Sequence, residues 1–294
     1  MIRPTVFGFN EEAFETNAFQ NRPDQRIDVN ALAVAEFDSF VNKLRAVGVE
    51  VLVISDTADS KTPDSIFPNN WFSTHKDGRL ILYPMAVSNR RAERRLDIIE
   101  ELMKEGDYSI VDWSAYELQK DPVFVEGTGS LIFDHDNKVV YAAVSPRTDA
   151  TLAERIVGAL GYQLIAFHAY GKEGELIYHT NVMMAIGDSF IIVGMNTIAE
   201  TDRDRVVFAL QQSGKEIIEL TNEQVYNDFA GNMLLLNNDK EESVLALSSR
   251  AFNSLNEKQR YQFDKYVDHY VAAEIPTIES VGGGSARCML AELF

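Results

Sequence analysis

Five residues, Asn70, Glu126, His179, Asn232 and Cys288, follow one another at intervals of 56, 53, 53 and 56 positions. Three of them are the types that nucleophilic catalysis requires. A cysteine attacks as its thiolate, which a nearby imidazole or cation favours, and an imidazole acting as a base needs a carboxylate to hold its tautomer. Cys288, His179 and Glu126 supply thiol, imidazole and carboxylate. Cys288 is the only cysteine, so it has no intrachain disulfide partner. It follows the run Gly282-Gly283-Gly284-Ser285-Ala286-Arg287, whose glycines let the backbone approach a ligand closely or adopt positive φ. Each residue also has a plain reading: a buried structural cysteine, a loop histidine, a solvated glutamate before Gly127-Thr128-Gly129, and a turn at Asn69-Asn70 after Phe67-Pro68. The shared spacing favours a site, because independent local accidents would not fall in one repeat phase.

That phase belongs to a recurring order of elements: amphipathic helix, short apolar strand, polar loop, β-hairpin. The first copy has a helix over 31–48, a strand over 49–55, the loop through Asn70 and a hairpin over 71–85 turning at Asp77-Gly78. The second has a helix over 89–106, the strand YSIVDWS, the loop ending at Glu126 and a hairpin over 130–144. In the third, a helix over 148–161 and YQLIAFH precede His179 and a hairpin over 181–194. The fourth runs from a helix over 200–214 through EIIEL to Gly231-Asn232 and a hairpin over 233–248. The fifth has a helix over 256–271, EIPTIESV as its strand, the glycine run and CMLAELF. Apolar residues at three- and four-residue spacing, such as Leu96, Ile99 and Leu102-Met103, give each helix one face to bury against a sheet. Units of roughly 55 residues mixing helix and sheet, with no distinct polar cap at either end, predict a fivefold α/β propeller, a single domain over 1–294. Circular closure would bring the five equivalent loops to the axis, so that their side chains face one another.

Composition narrows the function. An apolar content of 46% is ample for a core, and a net charge of -18 argues against nucleic acid, whose phosphates need a basic surface. No apolar stretch resembles a signal peptide or approaches a membrane span, so a cytoplasmic protein with no membrane partner is expected. The five histidines are scattered, and no Cys/His cluster has zinc spacing. No metal or other cofactor is expected.

At PDSIFPNN (63–70), EGTGS (126–130), SPRT (145–148), HTN (179–181) and GGGSARC (282–288), the chain resembles the guanidino-group modifying enzymes: arginine deiminase, dimethylarginine hydrolase and the amidinotransferases. These segments correspond in order to the family's Phe-x-x-Asp, Glu-Gly-Gly-Asp and His-x-Asp loops and its terminal cysteine, and the likeness extends over essentially the whole chain. The family's fold is a fivefold α/β propeller, the pentein fold. The resemblance implies that Cys288 is the nucleophile, His179 the general acid/base, Glu126 the carboxylate orienting substrate and histidine, and Arg147 a ligand for a substrate carboxylate. The loop FPNNWFS resembles that of the citrulline-utilisation hydrolases (citrulline ureidases).

Two departures bear on the substrate. Where the deiminases set aspartates against a cationic guanidinium, this chain has Asn70 and Asn181. A guanidinium has only donors and suits carboxylates, whereas a neutral ureido group combines a carbonyl acceptor with N–H donors, and asparagine offers both kinds of partner. The expectation is a cysteine-dependent hydrolase cleaving the ureido C–N bond of citrulline to ornithine, ammonia and carbon dioxide. In it Asn70 and Asn181 orient the ureido group, Phe67 packs on its plane, and Asp64 holds the α-amine or the loop. The alternatives are an arginine deiminase or dimethylargininase-type hydrolase, and a non-catalytic propeller acting as a binding protein. A homodimer stays open, and the polar segment 15–22 is a candidate lid over the axis. A third departure puts Gly129-Ser130 where the family has an aspartate.

Overall fold

A computed structural model describes residues 1–58 and 61–294. Its short first strand β1 (Ile2–Arg3) pairs in parallel with β2 (Ile54–Ser55). Four three-stranded sheets follow: β3 (Phe72–Thr74), β4 (Arg79–Leu82) and β5 (Ser109–Asp112); β6 (Ile132–Asp134), β7 (Val139–Ala143) and β8 (Gln163–Phe167); β9 (Met184–Ile186), β10 (Phe190–Val193) and β11 (Glu216–Glu219); β12 (Leu234–Asn237), β13 (Ser243–Ser248) and β14 (His269–Ala273). In each, an antiparallel hairpin is joined in parallel by the strand that follows the next helix. This is the fivefold α/β propeller expected from the repeats, with one change of phase. The strand after each helix pairs with the preceding hairpin, because parallel neighbours require a crossover and here the helix is that crossover.

The change of phase explains how the chain ends meet. The strand in 49–55 follows the first helix, so its parallel neighbour has to precede that helix, and β1 fills the role. Met1 donates to Leu52 O (2.8 Å) and Asp56 N–H donates to Arg3 O (2.9 Å). The C-terminal residues reach the first sheet: Thr74 Oγ1 donates to Glu292 O (2.9 Å) and Tyr108 OH to Phe294 O (2.7 Å). Ala291 packs against the same apolar cluster, which includes Ile2, as Leu52 and Ile54 do.

The helices bury apolar faces, although in the second unit Leu96 and Met103, expected on that face, are exposed and Ile98 joins Ile99 and Leu102 instead. Val29–Ala46, capped by Asp28, places Ala33, Phe37, Phe40, Val41 and Leu44 against β14 and its neighbours. Each large apolar side chain so buried contributes roughly 1.5–3 kcal/mol. Helix 89–106 is shorter than expected: Asn89–Glu93 is a 3-10 turn, and the α-helix is Leu96–Glu105, burying Ile98, Ile99 and Leu102. The interruption coincides with Arg90, which is buried in that turn and bonded to Asn70 in the first axis loop. The fifth unit also differs. Its helix is Glu257–Phe263, its strand is β14, and EIPTIESV, expected as a strand, holds the π-helical turn Ile278–Gly282. The expected helix over 256–271 extends too far, because His269, Tyr270 and Val271 open the strand β14, which packs on the first helix. Ile275, Ile278 and Val281 instead recur at three-residue spacing and bury one face of a turn.

The axis loops are short turns: helical at Pro68–Asn70, Gly127–Ser130, Thr180–Val182 and Ala286–Met289, and a bend at Gly231-Asn232. Successive turns are joined. Thr128 Oγ1 donates to Asn69 O (3.3 Å), Thr180 Oγ1 to Ser130 O, Asn232 Nδ2 to Asn181 O (3.1 Å), and Arg287 N–H to Asn232 Oδ1 (3.0 Å). The Phe67 ring against Gly282 and Gly284 completes the circle. Gly127 shows how close the turns lie: its φ is +47°, and a Cβ there would stand 2.2 Å from Asn69 O. Gly127→Ala is expected to cost at least about 1–3 kcal/mol, the scale of a forced left-handed residue, with the collision added. An unchanged thermal midpoint would show that the turns do not interlock in this way.

Candidate active site

The five axis residues converge as their spacing required, and all are buried. Glu126 and His179 form the best-defined pair, with His179 Nε2 donating to Glu126 Oε2 at 2.8 Å. The second oxygen, Oε1, accepts the Ala86 N–H (3.0 Å), and Arg147 Nη1 stands 3.5 Å from Oε2. Burial alone would raise the carboxyl, but the Arg147 guanidinium, the His179 bond and Arg90 outweigh it and hold Glu126 near pKa 2. Burial lowers His179 to about 4 against the pull of Glu126. The imidazole is therefore neutral at pH 7. With Nε2–H given to the carboxylate, its Nδ1 is left as the basic lone pair.

Cys288 lies in the turn Ala286–Met289, 4% exposed. Its sulfur has amide partners: Asn181 Nδ2 donates to Sγ at 3.3 Å and Asn232 Nδ2 at 3.2 Å. No hydrogen bond joins it to His179 among the described residues. A neutral His179 cannot hold a thiolate by charge, and the side chains whose hydrogen bonds reach the sulfur are the two amides.

Asn70 and Asn181 present opposite groups. Arg90 Nη1 donates to Asn70 Oδ1 (2.8 Å), leaving Asn70 Nδ2 without a partner. Arg90 has no acceptor, so a flipped Asn70 would set donor against donor; the guanidinium fixes its orientation. Asn181, its Nδ2 given to sulfur, has an unpaired Oδ1. A Cβ on Gly129 would lie 2.4 Å from Asn70 Nδ2 and 2.8 Å from His179 Nδ1, so the missing side chain leaves open the point where these two atoms face each other.

Asp64 Oδ2 accepts from Asn10 Nδ2 (2.7 Å), and its Oδ1 is buried and unpaired. Burial raises its carboxyl, with Arg90 opposing. Phe67 lies against the glycine run, so the close approach that those glycines allow is to this ring rather than to a ligand; Gly283 supplies the positive φ (+65°). Arg147, reserved by sequence for a carboxylate, has Nε and Nη2 engaged by Thr16 Oγ1 (3.0 and 2.7 Å) and Nη2 also by Ala13 O (3.0 Å). The 15–22 segment does reach the axis. Asn17 and Gln20 donate to Gly282 O and Gly283 O, and Phe19 packs on Tyr178 and Phe229. Among the described residues, no group of three or more His, Cys, Asp or Glu could hold a metal ion.

The model of the eukaryotic N,N-dimethylarginine dimethylhydrolase family matches residues 3–294. The chain belongs to this family. That membership places it among the pentein hydrolases of C–N bonds. No curated relative matches the sequence. Among solved structures, the N-terminal domain of ArgZ carrying a covalent reaction intermediate is similar, at 11% identity and TM-score 0.77 over 100% of this chain and 96% of that one. A dimethylarginine dimethylaminohydrolase adduct with S-methyl-L-thiocitrulline is 16% identical, TM-score 0.64, over 98% and 96%. AgrE, in complex with L-arginine, is 13% identical, TM-score 0.75, over 98% of this chain but 39% of its own. These likenesses establish the shared fold.

Sequence reasoning missed Arg90 and gave Asn232 no role. Arg90 sits in NRRAERR, a basic run that reads as a helix surface; Glu93 three residues on, a buried partner at 2.8 and 2.9 Å, was the available signal. Ser130, which departs from the family aspartate, is a structural knot. Its Oγ accepts from Glu126 N–H (3.0 Å) and Thr148 Oγ1 (2.7 Å) and donates to Arg147 O (3.1 Å).

Two outcomes test this geometry. Gly129→Ala should lower turnover by ~10²-fold or more as a 1 Å misplacement can, at an overpacking cost of about 1–3 kcal/mol in stability; near-normal activity in the folded variant would exclude substrate from that point. Histidine ¹⁵N shifts should show His179 as the neutral Nε2–H tautomer from pH 7.5 down to 5, since its pKa is lowered to about 4 and protonation begins only as pH approaches that value. An imidazolium at pH 6 would contradict the assignment.

Proposed function

We propose that this protein is a cofactor-independent cysteine hydrolase that cleaves the ureido C–N bond of citrulline. The observation that carries the reading is the fixed orientation of Asn70. With Oδ1 held by Arg90, Asn70 can offer only N–H donors, while Asn181 offers only its free Oδ1. A ureido group matches this pair, carbonyl oxygen to Asn70 and N–H to Asn181, with Glu126 as a further acceptor. A guanidinium would meet Asn70 donor to donor, and leaving a buried donor unmet costs about 1–3 kcal/mol.

In the mechanism, the Cys288 thiol proton passes to His179 Nδ1 as Sγ forms a bond to the ureido carbon. His179 then delivers that proton to the departing nitrogen as its C–N bond breaks, leaving a carbamoyl thioester. Water, deprotonated by His179, attacks the thioester and Sγ departs with the proton returned. Loss of ammonia and collapse of the carbamate to amine and carbon dioxide complete the balance of one citrulline and one water. Glu126 holds the tautomer throughout. Phe67 flanks the ureido plane and Asp64 Oδ1 is the candidate for the α-ammonium. Arg147 takes the α-carboxylate by exchanging it for Thr16. The substrate is an amino acid, with neither nucleic acid nor membrane as a partner; among the described residues no helix is long and apolar enough to cross a membrane.

The second reading, a hydrolase of arginine or dimethylarginine, is favoured by the family match, by the description of ArgZ as an arginine dihydrolase, and by the carboxylates Asp64 and Glu126. Calorimetric titration separates the two. In a Cys288→Ala background, citrulline should bind more tightly than arginine or dimethylarginine. Asn70→Asp with Asn181→Asp should reverse the order, and in the active enzyme should cut citrulline turnover by ~10²-fold or more, the scale of a mismatched buried polar partner. Tighter arginine binding by the unsubstituted pocket would overturn the ureido reading in favour of the guanidino one.

A further inference from the structure

Asn232 lies in the fourth axis turn, and its amide is fully committed. Oδ1 accepts the Arg287 N–H (3.0 Å), while Nδ2 donates to Asn181 O (3.1 Å) and to Cys288 Sγ (3.2 Å). The backbone donor at Arg287 and the backbone acceptor at Asn181 fix which way the amide points, so the N–H aimed at sulfur is dictated by two peptide groups on either side. Asn181 Nδ2 adds a second donor from the adjacent blade at 3.3 Å. Two amide donors on one buried sulfur match an acceptor. A neutral thiol is a weak acceptor and a thiolate a strong one, since charge-assisted bonds are about twice as strong as neutral ones.

We propose that Asn232 is the positioning residue that, with Asn181, clamps Cys288 Sγ by amide donation, favouring its thiolate and aiming it along the axis. The inference rests on the cysteine-hydrolase reading above and adds to it the group that activates the nucleophile, a task the neutral His179 does not perform by charge. The charged and titratable groups around the sulfur are few. Arg287 lies beside it in sequence and pairs with Glu292 at 3.6 Å, and Tyr178 of the third blade feels the charge of the sulfur; the other charged groups of the ring are engaged with one another, His179 with Glu126 and Arg90 with Asp64. Tyr178 OH is spent on Gly283 O (2.7 Å). The strand β13 packed against the cysteine turn carries no ionisable side chain. The two asparagines are thus the side chains whose hydrogen bonds end on sulfur.

The test reads Cys288 directly, without substrate. In the full chain, the rate of iodoacetamide alkylation and the thiolate absorbance near 240 nm are followed against pH for the unsubstituted protein, Asn232→Asp and Asn232→Ala. Asn232→Asp keeps the shape and the Arg287 acceptor but replaces the donor with a carboxylate. It should move the titration of Cys288 up by at least one pH unit and slow alkylation at pH 7 about tenfold or more, with the rate recovered at high pH. Asn232→Ala should shift the same midpoint upward by a smaller amount and lower kcat more than it changes KM. An unmoved midpoint in both variants, with alkylation altered equally at every pH, would reduce Asn232 to a structural residue and overturn the inference. If the unsubstituted protein shows no reactive thiolate, the inference falls while the hydrolase reading, in which His179 takes the thiol proton, stands; full citrulline turnover by Cys288→Ala would sink that reading instead, so the two failures are distinguishable.

Discussion

The structure depends on five short turns that interlock around one axis. Each turn supplies a polar group that the next accepts or donates to, and the last is packed against the first through Phe67 and the glycine run. Because these contacts are between backbone or near-backbone atoms, a shift of one turn propagates to its neighbours, and the functional side chains are held on a rigid ring. This is the property a site needs when its geometry must hold to a fraction of an ångström. The helices and sheets outside the ring fix where each turn stands. The two chain ends, β1 with β2 and the C-terminal residues on Thr74 and Tyr108, stop the ring from opening.

Around this ring the buried charges are arranged so that none is alone. Arg90 is bonded to Glu93, lies 3.9 Å from Asp64 and caps the Asn70 carbonyl; Arg147 stands beside Glu126 and is tied to the N-terminal segment. Removing one partner from such a pair would leave an uncompensated buried charge, a loss of about 3–5 kcal/mol, and for this reason the arginines serve the fold and the chemistry together. Arg90 gives Asn70 a single orientation. Arg147 lowers Glu126, and Glu126 in turn fixes the proton on His179. The charges therefore do not contact the reacting carbon in this reading; they decide which hydrogen-bonding face each neutral side chain shows.

The repeat phase made the propeller and its three chemical residues legible from sequence, since the residues at one loop position of a cyclic repeat have to meet. Local patterns also located the helices, and in the first and third units their three- and four-residue apolar spacing holds in the fold. They failed at the fifth unit, where the apolar pattern of the expected helix runs on through His269, Tyr270 and Val271 although these pair with β13. Short apolar runs carry both periods, and the strand is chosen by the sheet edge waiting for it. The pairing of each strand with the preceding hairpin was likewise invisible, because it is a property of crossover handedness and not of any segment.

What the sequence determined by itself is the inventory: one thiol, an imidazole and a carboxylate in register, asparagines where the family carries aspartates, and glycines where turns must touch. Those are facts of residue type and spacing, and closure of the ring turns them into neighbours. The tertiary structure decided the direction of each interaction. It set Arg90 against Asn70, two amides on Cys288 in place of His179, and Thr16 and Ala13 on Arg147. Hydrogen-bond orientation is settled by partners distant in sequence, and residue identity alone leaves an amide free to face either way.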